Sequence, residues 1–125
     1  RLAEGVDYSG NILDAVICVG IPVAPQTVPQ TALREYIDNK HGRGKGWKYG
    51  VLQPAVNSVL QGIGRAIRKA DDRAFILLLD NRLLSGQYRA CLPVTMQTFT
   101  ADDSKRTSRM VKRFFDRHPE PAKGD

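Results

Sequence analysis

Apolar residues fall along the chain in two kinds of pattern. Ala15-Val16-Ile17-Cys18-Val19, closed by Gly20, and Ala74-Phe75-Ile76-Leu77-Leu78-Leu79, closed by Asp80, are short unbroken apolar runs. That is the composition of strands buried on both faces of a parallel sheet. Between them Leu52, Val56, Val59, Leu60, Ile63 and Ile67 recur at three-and-four spacing. This predicts one long helix from near Leu52, with Pro54 in its first turn, to somewhere between Lys69 and Asp72. Leu33, Tyr36 and Ile37 give a shorter helix over residues 31–40, ended by Asn39 to Gly42. Met110, Val111, Phe114 and Phe115 lie opposite a cation-rich face and predict a last helix from about Asp102 to Arg117. Its acids stand at the N-terminus and Arg113 and Arg117 at the C-terminus, as the helix dipole favours. Pro22, Pro25 and Pro29 make residues 21–29 an extended loop. Strand, crossover helices, strand is the order of an α/β fold with a parallel sheet and flanking helices.

The polar positions of the long helix change the picture. At about 100° per residue, Gln61, Arg65 and Arg68 fall within an arc of about 60°, with Asn57 and Gly64 beside them. Gly62 and Gly64 would each cost about 1 kcal/mol in a helix interior, in the same turn as the arginines. Close approach by another backbone or a ligand would explain them. Taken alone, Arg65 and Arg68 on an exposed helix face read as solvated cations that Asp71 and Asp72 could neutralise locally.

Residues 41–50, His-Gly-Arg-Gly-Lys-Gly-Trp-Lys-Tyr-Gly, read as the most basic and flexible segment. Lys45 is followed by Gly46 rather than by a hydroxyl, so the phosphate-cradling G-x-x-x-x-G-K-[ST] pattern is not met. The segment is either a solvated connector or a nucleic-acid contact, with Lys45 and Lys48 as cations and Trp47 and Tyr49 available for base stacking. Asp80 and Arg82 are open between a structural pair at the strand end and a contact to DNA or nucleotide.

The 125 residues carry a formal net charge of +6 and a pI near 9.6, which favours a polyanionic partner. No apolar run is long enough to span a bilayer, and nothing resembles a signal peptide. Cys18 and Cys91 are isolated in apolar surroundings, so two inert thiols in a reducing compartment are expected rather than a metal or redox site. The chain starts at Arg1 within what reads as a motif, and a fragment is expected.

Gln61-x-x-Gly64-Arg65-x-x-Arg68 resembles motif VI of superfamily 2 helicases, and Glu4-Gly5-Val6-Asp7 resembles their motif V. With Ala15-Val16-Ile17, Gly20-Ile21-Pro22, Asp80-x-Arg82 and Leu92-Pro93 in this order and spacing, residues 3–93 resemble the XPD and DinG branch of DNA helicases. The resemblance implies part of the second RecA-like (P-loop NTPase) lobe over residues 1–100, followed by an amphipathic helix and tail over 101–125. It implies an ATP-dependent helicase that translocates on single-stranded DNA and unwinds duplex, with this piece inactive alone. Arg65, Arg68 and Gln61 would be catalytic. Glu4, Gly5, Asp7 and Gly64 would lie at the ATP site, and Arg82, Lys45, Trp47 and Lys48 would be candidates to touch nucleic acid.

ATP with Mg2+ would be held mainly by the first lobe of the same parent protein. An iron–sulfur cluster would belong to that lobe in those members that have one, not to this chain. The implied partners are DNA and the first lobe, with no membrane, in a cytoplasmic or nuclear setting. The short sheet with its open edge also raises self-association. The competing reading is a non-catalytic nucleic-acid or partner-binding module that retains the lobe fold.

Overall fold

The computed structural model describes residues 13–67 and 72–119, and the chain divides into two units, Arg1–Thr95 and Met96–Asp125. In the first unit, strands β1 (Ala15–Val19) and β2 (Phe75–Leu79) pair in parallel, Ala15 opposite Phe75 and Val19 opposite Leu79. The predicted parallel α/β arrangement is therefore present. The expectation that these strands are buried on both faces is not met: Ile17 is 62% and Val19 80% exposed. Among the described residues the sheet has two strands, and alternate β1 side chains, at Ala15, Ile17 and Val19, are exposed.

Helix α1 spans Val28–His41, three residues earlier than expected. Thr27 caps it, and Pro29 sits in the first turn, where a missing N–H costs nothing. Reading every proline of residues 21–29 as a helix breaker was therefore wrong at Pro29.

The largest departure lies in residues 41–50. Instead of a flexible connector, Gly42 and Gly44 take left-handed backbone angles (φ 103° and 86°) and turn the chain into helix α2 (Lys45–Trp47). A π-helical turn over Lys48–Leu52 follows, then α3 (Gln53–Ile63). The Gln53 N–H donates five residues back to the Lys48 carbonyl. The wider turn falls immediately before Pro54, which has no N–H to continue an α-helical ladder. Gly46 is buried against α1: its N–H donates to Asp38 Oδ1 at 2.7 Å, and a Cβ there would fall on the Arg34 carbonyl.

The core sits on α3 and the π turn. Leu52 and Val56 are almost fully buried and cluster with Cys91, flanked by Trp47, Leu60, Tyr88 and Leu92. Both cysteines are free thiols, and burial pushes the Cys18 thiol up from its ordinary value. Regular α3 ends at Ile63, not between Lys69 and Asp72. Two short elements went unpredicted, a 3₁₀ turn over Asn81–Leu84 and α4 (Gly86–Arg89).

The second unit contains α5 (Ser104–Arg117). Asp103 caps it, accepting from the Arg106 N–H at 2.6 Å, and Asp102 pairs with Arg106 at 3.5 Å. Met110, Val111, Phe114 and Phe115 are half-buried along one face, as the sequence pattern predicts.

Candidate functional site

The residues singled out by sequence fall in three places. The first is the exit of α3. Gln61 is exposed on its last turn, and the Gly64 N–H closes the helix on the Leu60 carbonyl at 2.9 Å. Tight bonds follow, from Arg65 N–H to the Gly62 carbonyl (3.2 Å) and from Ala66 N–H to the Ile63 carbonyl (3.0 Å). Ile63 and Ala66 are both buried, so the main chain of half-buried Arg65 is fixed from either side. Arg65 thus occupies a closing turn and not, as expected, the face of a continuing helix. Gly64 has φ −61°, open to any residue, and a Cβ there would meet nothing closer than the Leu60 carbonyl at 3.4 Å. Glu4, Gly5, Asp7 and Arg68 lie outside the described residues.

The second place is the carboxyl edge of the sheet. Asp80 follows β2 with its side chain 9% exposed. It accepts from the Ile21 N–H (2.8 Å), the Arg82 N–H (2.9 Å) and the Arg82 guanidinium (2.6 Å from NH2). Arg82 also donates to the Ile21 carbonyl at 2.9 Å and lies 5.9 Å from the Tyr88 ring centroid. The Arg82 guanidinium holds the Asp80 carboxyl well below the usual carboxylate range, against the opposing effect of burial, with help from the two backbone N–H groups. This clasp joins the chain leaving β1 to the chain leaving β2. Of the two readings left open by sequence, the structural pair is the one these contacts describe. Ile21 was missed, because its main-chain groups do the bonding and main-chain groups carry no residue-type signal.

The third place is the α1–α2 corner. Trp47 packs against the buried cluster with the Arg34 guanidinium 4.9 Å from its ring centroid. Its half-buried ring is thereby engaged within the chain. Tyr49 remains exposed, with Lys45 Nζ 5.8 Å and Lys48 Nζ 5.5 Å from its ring.

Residues 1–99 match the family of helicase C-terminal domains. The chain belongs to that family.

Within it the chain is of the XPD/DinG type, a partial second RecA-like lobe of a DNA helicase. It is 32% identical over 127 residues to regulator of telomere elongation helicase 1 of Rattus norvegicus, covering 92% of this chain and 10% of that protein. The ATP-dependent DNA helicase DinG of Photobacterium profundum is 32% identical over 98 residues, 78% of this chain and 14% of its own length. The 3'-5' exonuclease DinG of Bacillus subtilis is 34% identical over 85 residues, 68% of this chain and 9% of its own. The helicase domain thus spans about a tenth of the length of these relatives. Among its described residues no group of three His, Cys, Asp or Glu side chains is placed to hold a metal, and no helix is long and apolar enough to cross a membrane.

Proposed function

We propose that this domain supplies the arginine-bearing side of a composite ATP site in an ATP-dependent DNA helicase, with the phosphate-holding side on the first RecA-like lobe. The observation that supports it most is the exit of α3: Arg65 on a main chain anchored by buried Ile63 and Ala66, one turn beyond exposed Gln61. In-line phosphoryl transfer spreads charge over the γ-phosphate and leaving oxygens. A planar, always-ionised guanidinium brought in from a second surface stabilises that charge when the cleft closes. Arg65 and Arg68 take this role. Gln61 orients the attacking water or the γ-phosphate, and Gly64 keeps the approach open. Glu4, Gly5 and Asp7, as motif V, link the nucleotide to the DNA track. The donors among the described residues do not fit Mg2+, which the first lobe would hold.

The B. subtilis relative is named for exonuclease activity, so the test must read nucleotide chemistry directly. In the full-length protein, Arg68→Ala should lower the rate of ATP hydrolysis about 10³-fold or more while nucleotide binding persists, the scale of a lost arginine finger. Hydrolysis at the unaltered rate would refute the assignment. So would loss of nucleotide binding alone, with turnover of bound nucleotide intact.

A further inference from the structure

Helix α5 carries six cations (Lys105, Arg106, Arg109, Lys112, Arg113 and Arg117) against a single acid, Asp116. All six are exposed. At about 100° per residue they fill an arc of about 140°, opposite Met110, Val111, Phe114 and Phe115. A charge run of this kind is ordinarily a solvated face. What sets this one apart is a serine at its edge.

Around the helix, Ser108 lies about 40° from Lys112 and about 60° from Lys105, one turn from each. Ser104, Lys105, Ser108 and Arg109 line an open groove along this side of α5. A serine or threonine inside a helix can return its hydroxyl to the carbonyl four residues back. Ser58 does so to Pro54 (3.2 Å) and Thr107 to Asp103 (2.9 Å). Among the described residues Ser108 makes no such bond, and it is exposed. Lys105, Arg109 and Lys112 likewise have no carboxylate partner among the described residues, whereas Arg106 pairs with Asp102 at 3.5 Å. An unbonded hydroxyl among unpaired cations does little for a neutral serine. The same surroundings match a dianionic ester: a phosphate at Ser108 has Lys105 three residues before it and Lys112 four residues after it, the acid-before-base order that helices favour.

We infer that Ser108 is a phosphorylation site, modified by a protein kinase that reads the cations two and three residues before its target, Arg106 and Lys105. The Ser108 Oγ attacks the γ-phosphorus of the kinase's ATP, the bond from that phosphorus to the β-phosphate oxygen breaks, ADP leaves, and the hydroxyl proton passes to the kinase's base. Thr107 is half-buried and already bonded to Asp103, and Ser104 follows Asp102 and Asp103, the opposite charge to the one such a kinase reads. Helix α5 contains no fully buried residue, so its first two turns open at small cost for the extended pose a kinase cleft needs. Once formed, the phosphate closes on Lys105 and Lys112 and lowers the net charge of α5 from +5 to about +3. The inference does not rest on the ATP site.

The test uses the full-length protein, the catalytic subunit of cyclic-AMP-dependent protein kinase and ATP labelled at the γ-phosphate, with the modified residues mapped by tandem mass spectrometry. An incubation lacking the kinase sets the baseline. Phosphate should appear on Ser108 and be absent from that peptide in Ser108→Ala. Lys105→Gln with Arg106→Gln should slow modification of Ser108 about ten-fold or more, while Arg113→Gln with Arg117→Gln should leave it within about two-fold, because position and not total charge is read. Circular dichroism checks that each variant is folded. Amide exchange across α5 should slow about two- to five-fold on phosphorylation, the gain from two new side-chain pairs. Phosphate on Thr107 or Ser104 in place of Ser108, or on none of the three, would overturn the inference. So would equal slowing by the two double variants, or faster exchange in α5 after modification.

Discussion

Replacing Asp80 with alanine tests whether the carboxyl edge of the sheet is a structural clasp. The carboxylate accepts from the Ile21 N–H at 2.8 Å and from the Arg82 N–H at 2.9 Å, besides the Arg82 guanidinium. Ile21 is buried, so its N–H has no ready access to water once the acceptor is gone. An orphaned buried donor costs about 1–3 kcal/mol. Loss of the cap on the 3₁₀ turn over Asn81–Leu84 adds about 1 kcal/mol. The Arg82 ion pair is 45% exposed on its cationic side and is screened by solvent, so nothing is added for it.

Amide hydrogen exchange at Ile21 reads this locally, and the combined cost of about 2–4 kcal/mol corresponds to a loss of protection of about thirty- to a thousand-fold. Asp80→Asn, which keeps one acceptor oxygen, should fall between. The pH dependence carries a sign. Asp80 titrates lower in the folded state than in the unfolded chain, so its contribution is present in full above the ordinary carboxylate range, near pH 4 and up. It fades as pH falls through the lowered folded value. Protection at Ile21 should therefore be constant from neutral pH to about pH 5 and decline below about pH 4. Exchange at Ile21 within about two-fold of the parent in the alanine variant would refute the clasp.

Two glycines, Gly46 two residues before the π turn and Gly50 inside it, behave oppositely in this structure. Gly46→Ala puts a Cβ onto the Arg34 main chain, 2.8 Å from its carbonyl carbon, and should lower stability by about 3 kcal/mol, read as an earlier urea midpoint. Gly50→Ala meets only Arg34 Cγ at 3.5 Å and Ile37 Cδ1 at 3.8 Å, and should be neutral or gain up to about 1 kcal/mol in the same measurement. Gly64→Ala should change stability by less than about 1 kcal/mol, because neither φ nor space within the chain demands glycine. ATP hydrolysis by the full-length protein carrying Gly64→Ala should nonetheless fall at least ten-fold; unchanged turnover would remove the close approach assigned to this position.

The elements legible from sequence are those whose signal is local and redundant. The two apolar runs give β1 and β2 to within a residue, and Asp102 and Asp103 mark the start of α5, because composition and capping chemistry point the same way. The extent of burial was not legible, since Ile17 and Val19 have the composition of a two-sided interior strand whether or not a second layer covers them. Residues 41–50 were misread for a related reason. Glycines that look like flexibility serve a tight turn at Gly42 and Gly44 and a close packing at Gly46, and both depend on where Arg34 of α1 lies.

The end of α3 is the most instructive misreading. The apolar period runs on through Ile67, yet the closing turn shifts which side chain faces inward: Ala66 is as buried as Ile63, while Ile67 is 42% exposed. Helical periodicity reports core-facing positions only while the helical ladder lasts, and once the turn closes the buried position moves from Ile67 to Ala66. The glycines then have to be taken separately. A glycine that ends a helix commonly does so by adopting left-handed angles, yet Gly64 keeps φ −61° and needs no such freedom. Its lack of a side chain thus has no explanation among the described residues, while the anchoring of Arg65 beside it does. A position left small without internal cause, next to an arginine whose main chain is fixed on both sides, is what the proposed two-sided site would require.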